Sequence, residues 1–300
     1  MSHRCRARIV RVARLVVVIL ASLAACSLRG ASERAVLGRE VIRIGDVAYD
    51  TGARQRLDVY LPRRPRATSP VMVFLYGGRW KYGAKRDWVL LANTLARRGW
   101  VVVVPEYRRW PQVLFPAWVE DGARAVRWTL DNVAGLGGDT SRVVVVGHSA
   151  GAHTVALLAL DEHFLRDAGV DGRRVHGYVS LAGPVDTAWT ARDVQRLMGP
   201  REGWPATYPA THVGGDEQPL LLLHGTGDDV VTAGSSVRLA ERIRARGGCA
   251  RADLYRGVNH VEIVLALALP RTDLAPVLRD VTAFARDPAG TTCATAPSSR

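Results

Sequence analysis

One serine in this chain lies in a context suited to nucleophilic chemistry. Ser149 is the centre of Gly147-His148-Ser149-Ala150-Gly151, which follows four consecutive valines and precedes an apolar helical pattern. The two glycines let a strand and a helix meet in a tight turn that exposes the serine hydroxyl. The same turn places the amide of Ala150 and the positive end of a helix where an oxyanion would form. The pattern therefore predicts that Ser149 is a nucleophile.

A serine nucleophile needs a base and an acid, and chain order limits the candidates for both. In strand–turn–helix sites of this kind the acid follows the serine and the histidine follows the acid. Asp228 and Asp229 directly follow an apolar run and are both candidate acids, and Asp186 is a further alternative. Of the eight histidines only His260 follows Asp228 and Asp229. We therefore expect His260 to take the serine proton and the acid to orient its ring.

The elements that must position these residues alternate along the chain. Strand-like apolar runs lie at Val41–Ile44, Leu57–Tyr60, Val71–Leu75, Val101–Val104, Val143–Val146, Tyr178–Leu181 and Leu220–Leu223, with a weak further strand at Leu254–Tyr255. Helical patterns lie at about Trp88–Arg98, Trp118–Asn132, Ala150–Leu160, Ser235–Arg246, Val261–Leu269 and Leu274–Arg286. This alternation predicts an α/β fold with a mostly parallel central sheet and helices on both faces.

Over about residues 41–286 the chain resembles the esterase/lipase branch of the α/β-hydrolase superfamily, including its acetyl-esterase and feruloyl-esterase-like group. Tyr76-Gly77-Gly78-Arg79 stands where many relatives have H-G-G-x, and residues 224–231 match H-G-x-x-D-x-x-V. The resemblance implies the α/β-hydrolase fold, with Asp228 as the acid. It also implies an oxyanion hole in which the amides of Gly78 and Arg79 join that of Ala150, while Gly77 gives the loop its freedom. Tyr76 departs from the family histidine, which mainly supports this loop.

These features together predict a serine hydrolase that cleaves carboxylic esters through an acyl-enzyme. Its partner would be a small-molecule acyl ester, and this chemistry needs no metal and no organic cofactor. The same groups can cleave amides and formamides, so an arylformamidase-like amidase stays open as an alternative. A non-catalytic, surface-anchored binding protein on the same fold is a second alternative, because fold alone does not imply function.

Composition and charge limit the class of protein. The chain has 300 residues, 48% hydrophobic and 23% charged, which is typical of a globular protein and excludes long-range disorder. A formal charge of +13 suits a nucleic-acid partner. The arginines are scattered, however, and no basic run with interleaved aromatic residues is present. We therefore expect no nucleic-acid partner, and the sequence leaves the oligomeric state open.

The N-terminal segment is typical of an export signal. Five arginines and no acid precede the apolar run Leu15–Ala25, which is shorter than the roughly 20 residues that a membrane-spanning helix needs. Leu23-Ala24-Ala25-Cys26 resembles the lipobox of bacterial lipoproteins, which implies cleavage before Cys26 and a lipid on its sulfur. We expect a signal peptide at 1–25, a tether at 26–40 and a lipid anchor in the bacterial cell envelope, on the periplasmic or outer face. Plain secretion and an uncleaved anchor remain alternatives.

Export also bears on the remaining cysteines and on the boundaries of the domain. In an oxidising compartment Cys249 and Cys293 would tend to form a disulfide, and two free thiols are the alternative. The stretch 184–217 is rich in Gly, Pro, Trp and charge, which predicts a lid-like insertion in a domain spanning 41–286. Residues 287–300 are predicted to form a flexible tail.

Overall fold

The apolar runs of the sequence form the strands of one central sheet. The structure, a computed structural model, describes residues 39–64, 69–269 and 274–293. The strands are β1 (Val41–Ala48), β2 (Arg56–Pro62), β3 (Ser69–Leu75), β4 (Val101–Pro105), β5 (Gly138–His148), β6 (Gly177–Leu181), β7 (Leu220–Gly225) and β8 (Ala250–Tyr255). Their order across the sheet is β1-β2-β4-β3-β5-β6-β7-β8.

The sheet is parallel from β4 to β8, and β2 runs antiparallel to both of its neighbours. Side chains in the middle of the parallel strands, such as Val102, Val145 and Leu222, are 0% exposed. Strands covered on both faces are apolar along their whole length, which is why these runs could be recognised in the sequence. The predicted α/β class and mostly parallel sheet are confirmed.

Helices connect the strands and cover the sheet. They are α1 (Val89–Ala96), α2 (Ala117–Asn132), α3 (Ala150–Leu160), α4 (Glu162–Asp167), α5 (Arg192–Leu197), α6 (Gly234–Ala245), α7 (Glu262–Ala268), α8 (Val277–Arg286) and α9 (Pro288–Thr292). α2 packs on α3 and α4, whereas α1 packs on α7, and α7 on α8. Two such groups are expected when helices lie on both faces of a sheet.

The edge strand β8 is longer than the sequence predicts. It begins at Ala250 rather than Leu254, and within the described residues it pairs only with β7. Its middle is solvated, and the side chains of Arg251 and Asp253 form an ion pair of 2.8 Å. Because a half-exposed edge strand carries polar residues, it lacks the continuous apolar run that marks the buried strands.

The prediction of a flexible tail from residue 287 is wrong for the residues that the structure describes. Asp287 caps α9, its side chain accepting the amide of Gly290 at 2.9 Å. Cys293 follows that helix and forms a disulfide with Cys249, with 4.5 Å between the Cα atoms. The predicted pair is therefore bridged, and the bridge fastens the end of the described chain to the start of β8.

The insertion between β6 and β7 is folded onto the domain. It contains α5 and two short 3-10 helices, Arg201–Thr207 and Pro209–Thr211. Within it the indole N–H of Trp189 donates to Thr207 Oγ1 at 2.6 Å. The amide of Phe115, which lies outside the insertion, donates to Leu197 O at 2.9 Å.

The predicted signal peptide and Cys26 lie outside the described residues, as does most of the tether. Within the described ranges, no helix combines the length and the apolar character needed to cross a bilayer.

Candidate active site

Ser149 stands at the junction of β5 and α3. β5 ends at His148 and α3 begins at Ala150, so the serine lies in the predicted strand–turn–helix setting. Its φ is 54°, a left-handed backbone that non-glycine residues rarely adopt. Gly151 is required at the start of α3, because a Cβ there would lie 2.0 Å from the carbonyl oxygen of Leu75. The turn thus holds the serine side chain above the carboxyl end of the sheet.

The structure brings together the three residues predicted to form the triad. His260 Nε2 lies 2.8 Å from Ser149 Oγ, and His260 Nδ1 lies 2.8 Å from Asp228 Oδ2. The Asp228 side chain is fully buried and that of His260 is 11% exposed. Because an ionised carboxylate only accepts hydrogen bonds, His260 Nδ1 carries the proton and Nε2 accepts the serine hydroxyl. This is the arrangement of a nucleophile with its general base.

The Asp228 carboxylate has partners for both of its oxygens. Oδ1 accepts the amides of Val230 at 2.9 Å and Val231 at 2.8 Å, while Oδ2 accepts from His260 and lies 3.1 Å from His224 Nε2. Burial alone would raise the pKa of Asp228. The hydrogen bonds from Val231 and His260 outweigh burial and hold that pKa below its ordinary value, so the group stays ionised.

The two alternative acids do not reach His260. Asp229 is exposed at the surface. The Asp186 carboxylate accepts from Arg238 Nε at 2.8 Å, at the edge of α6. Of the candidates that the sequence left open, only Asp228 contacts the imidazole.

The loop after β3 lies against Ser149, as an oxyanion hole requires. A Cβ on Gly77 would lie 2.9 Å from Ser149 Cβ, so only glycine lets the loop approach this closely. Gly78 has φ 129° and Arg79 has φ 54°. Within the described residues no protein acceptor takes the amide hydrogens of Gly78, Arg79 or Ala150. Arg79 and Ala150 line the same cavity as Ser149.

Tyr76 supports this loop in place of the histidine found in many relatives. Its hydroxyl donates to Glu106 Oε1 at 2.6 Å, and its carbonyl accepts from the Tyr107 hydroxyl at 2.8 Å. Glu106 also accepts the amide of Lys85 at 3.0 Å, which ties down the far end of the loop. Burial, with Tyr107 and Glu106 nearby, raises the pKa of Tyr76 well above its ordinary value, so it remains a donor.

A cavity of about 290 Å³ opens beside Ser149. Its walls are mainly apolar, and the insertion supplies one of them; the lining includes Trp80, Pro184, Trp189, Val194, Val230 and Val231. Two larger cavities, of about 590 and 480 Å³, contain none of the triad residues. Position next to the nucleophile, rather than volume, therefore identifies the substrate cavity. In the described part of the chain, no three His, Cys, Asp or Glu side chains are grouped to hold a metal ion.

An ion-pair cluster joins the insertion to the oxyanion loop. Arg79 Nη2 donates to both carboxylate oxygens of Asp193 on α5, at 2.8 and 2.9 Å, and Lys81 Nζ lies 3.1 Å from Oδ2. Hydrogen bonds from Arg79 and Lys81 lower the pKa of Asp193 to about 2, so it is ionised. The side chain of Arg79 thus contacts the insertion from a residue of the predicted oxyanion hole.

Two histidines at the site had no role predicted from the sequence. His148 Nε2 lies 2.8 Å from the carbonyl oxygen of His260, and the two rings are 4.9 Å apart. His224 is the next-to-last residue of β7 and contacts Asp228. The available signal was their position: one precedes the nucleophile and the other opens the H-G-x-x-D segment.

Comparison with known proteins shows that the chain is similar to esterases. It is 30% identical over 249 residues to a probable isoprenylcysteine alpha-carbonyl methylesterase from Oryza sativa subsp. japonica, covering 76% of this chain and 59% of that protein. It is 29% identical over 229 residues to the probable carboxylic ester hydrolase LipM of Mycobacterium tuberculosis, covering 69% and 53%. The chain therefore spans between half and three-fifths of the length of these curated relatives.

Solved structures show the same fold. Esterase B from Lactobacillus rhamnosis, in a form inhibited by a tributyrin phosphonate, matches with a TM-score of 0.69 at 21% identity, covering 92% of this chain and 97% of that one. The expected α/β-hydrolase fold is thereby confirmed. The BD-FAE family model matches residues 57–243, well over half of the sequence. The residues that it spans include Ser149 and Asp228, and the chain belongs to the BD-FAE family.

Proposed function

We propose that this protein is a serine hydrolase that cleaves carboxylic esters. The observation that carries the proposal is the continuous chain from Ser149 Oγ through His260 to Asp228, with both links at 2.8 Å, beside an apolar cavity. The free amides of Arg79 and Ala150 border the same cavity. Nucleophile, base, acid and oxyanion donors are therefore adjacent without any rearrangement.

The reaction follows from this geometry. Ser149 Oγ attacks the ester carbonyl while its proton passes to His260 Nε2, and the amides of Ala150, Arg79 and Gly78 stabilise the oxyanion. Collapse of the tetrahedral intermediate breaks the ester C–O bond, and His260 gives its proton to the departing alcohol. Water then attacks the acyl-enzyme by the same route and releases the acid and free Ser149. Asp228 remains ionised and stabilises the imidazolium at each proton transfer.

The relatives support an ester rather than another acyl bond. Both proteins described above are named as ester hydrolases, one of them a methylesterase. The cavity of about 290 Å³ lies at the lower end of the size range of ligand pockets, roughly 300–1,000 Å³, which suits a small acyl group. We therefore propose small acyl esters as substrates.

A fluorophosphonate probe tests the nucleophile directly. We expect the purified protein to label, and Ser149→Ala to abolish labelling while leaving the fold intact. Ser141→Ala is the matched control, because this serine bonds Asp139 at the far end of β5 and should leave labelling unchanged. A folded wild type that does not label, or a Ser149→Ala variant that labels equally, would favour a non-catalytic binding protein.

The bond that is cleaved needs a separate measurement. Initial rates on matched esters and anilides of acetate, butyrate and octanoate compare bond type and acyl length in one panel. We expect the short esters to give the highest kcat/KM. Faster cleavage of amides or formamides than of the matched esters would support the amidase alternative instead.

We further propose that the protein is exported and held in the cell envelope by a lipid on Cys26. The Cys249–Cys293 disulfide supports the proposal, because such bonds persist in oxidising compartments. Growth with a radiolabelled fatty acid should label the wild type and Cys5→Ala, whose cysteine lies in the predicted signal peptide. Cys26→Ala should lose both the label and the membrane fraction. Equal labelling of both variants would contradict a lipid on Cys26.

A further inference from the structure

His224 is a buried titratable residue that the proposed reaction does not use. It lies at the carboxyl end of β7, its side chain is 0% exposed, and its ring contacts the same oxygen of the triad acid as His260 does. Its Nε2 faces Asp228 Oδ2 at 3.1 Å and the carbonyl oxygen of Val231 at 3.0 Å. Its Nδ1 lies 2.8 Å from Ser236 Oγ on α6.

These contacts fix the protonation of the ring. Both atoms facing Nε2 can only accept, so Nε2 carries the hydrogen, whereas Nδ1 can accept the hydroxyl hydrogen of Ser236. Burial lowers the pKa of His224, which keeps the ring neutral at neutral pH. A single neutral tautomer therefore satisfies every polar contact of this buried side chain.

Asp228 Oδ2 is thus shared by two imidazoles. One continuous chain of hydrogen bonds runs from Ser236 through His224 to Asp228, and on through His260 to Ser149. We propose that His224 is a positioning residue of the catalytic machinery, whose Nε2–H holds Oδ2 of Asp228 towards His260 and draws off part of its negative charge. The inference rests on the proposed function, and it adds His224 as a positioning residue beside the three residues of the triad.

The physical consequence concerns the basicity of His260. A donor on Oδ2 weakens the attraction between that oxygen and a protonated His260, and it prevents the carboxylate from rotating. Among the described residues, the titratable groups in contact with His260 are Asp228 from the loop after β7 and His148 from the end of β5, and His224 in turn contacts Asp228. Without the His224 donor, His260 should become a stronger base and be held less firmly.

Two polar substitutions of His224 distinguish loss of the hydrogen bond to Asp228 from loss of side-chain packing. In His224→Gln the terminal amide reaches the position of Nε2 and can still donate to Asp228. In His224→Asn the amide reaches only the position of Nδ1, so it can bond Ser236 but not Asp228. His153→Gln is the matched control, because His153 is equally buried and its ring bonds Thr207 rather than the triad.

The measurement is the titration of His260 followed by NMR on histidine-labelled protein, with the pH profile of kcat/KM beside it. We expect His224→Asn to raise the His260 midpoint by about half to one pH unit and to lower kcat about tenfold. His224→Gln should stay within about threefold of the wild-type kcat, and His153→Gln should leave the midpoint unchanged.

Equal midpoints in His224→Asn, His224→Gln and the wild type would overturn the proposal. So would a shift in which the Gln variant is affected as much as the Asn variant, since that pattern indicates only packing. The NMR titration needs no turnover, and therefore it decides the role of His224 even if fluorophosphonate labelling disproves the serine hydrolase. If His224→Asn does not fold, a His224→Gln midpoint that differs from the wild type by half a unit contradicts the proposal by itself.

Discussion

Two buried histidines near the nucleophile should lower the stability of the folded protein at acid pH. His148 and His153 are 6% and 0% exposed. Burial lowers the pKa of each to about 4, with the charge of His260 adding to the effect at His148. Both are neutral in the folded protein at pH 5, whereas in the unfolded chain their pKa returns to about 6.5. Between about pH 6.5 and 4 the unfolded state therefore binds more protons than the folded state.

Stability should accordingly fall with pH in a defined window. The histidine contribution is complete above about pH 6.5 and is lost as the pH falls towards 4, by about 2–3 kcal/mol for each residue at pH 4.5. The lowered pKa of Asp228 acts in the same direction only below its unfolded value of 3.8, so it does not contribute in this window. Urea unfolding between pH 7.5 and 4.5 measures the loss.

The matched variant for that measurement is His153→Gln, which can still donate to Thr207 O in place of the ring nitrogen. Near pH 5 its free energy of unfolding should depend on pH with a slope smaller than the wild-type slope by about one proton. Equal slopes in the two proteins would mean that His153 titrates normally in the folded state.

The residues of the proposed triad were predictable because each lies beside a simple signal. Ser149 and Asp228 follow buried apolar strands, and His260 is the one histidine in the required order. The choice between Asp228 and Asp229 needed either the family pattern or coordinates. The contacts of His224 and His148 could not be predicted, because they depend on which strand ends meet at the carboxyl edge of the sheet.

Among the secondary-structure elements, the sequence predicted those that are buried on both faces. It missed those whose conformation depends on tertiary contacts. The bounds of α3 agree with the apolar pattern Ala150–Leu160. α4, α5 and α9 have between five and six residues each, too few for a helical period to be visible. Such helices are held by packing and capping rather than by intrinsic preference.

The contact between α5 and the oxyanion loop should matter more for substrate binding than for stability. Asp193 is 41% exposed, and exposed ion pairs contribute only about 0.2–1 kcal/mol. Asp193→Asn removes the charge that holds Arg79 and Lys81, while the hydrogen bonds of Trp189 and Phe115 still hold the insertion. We expect Tm to change by under about 3 °C and KM to rise roughly three- to tenfold.

Steady-state kinetics with a short ester, together with thermal melting, measures both effects. Glu162→Gln is the control, because it breaks a comparable exposed pair with Arg166, on α4, away from the cavity. It should leave KM unchanged. A fall in kcat at constant KM in Asp193→Asn would instead indicate that the ion pair positions the oxyanion donors.

For the whole molecule, the carboxyl and amino ends of the parallel strands carry different features. Ser149, Asp228 and His260 follow the carboxyl ends of β5, β7 and β8, and the oxyanion loop follows β3. Cys249 precedes β8, and Val41 begins β1, which runs in the same direction as the parallel strands. The disulfide and the start of the described chain thus lie at the amino ends of these strands, opposite the site.

This separation predicts that the disulfide stabilises the fold without affecting catalysis. The bond joins residues 44 apart, and restricting a loop of this length in the unfolded chain is worth about 4 kcal/mol. The double variant Cys249→Ser, Cys293→Ser should lose most of that free energy of unfolding in urea titrations. Its kcat and KM at 25 °C should match the wild type, because the variant releases the last helix only from the amino ends of the strands, opposite the triad.

Adding a reductant should lower the stability of the wild type to that of the variant and leave the variant unchanged. A variant as stable as the wild type would mean that packing of α9 holds this end of the chain, and lower kcat in a folded variant would mean that the two ends of the strands are coupled.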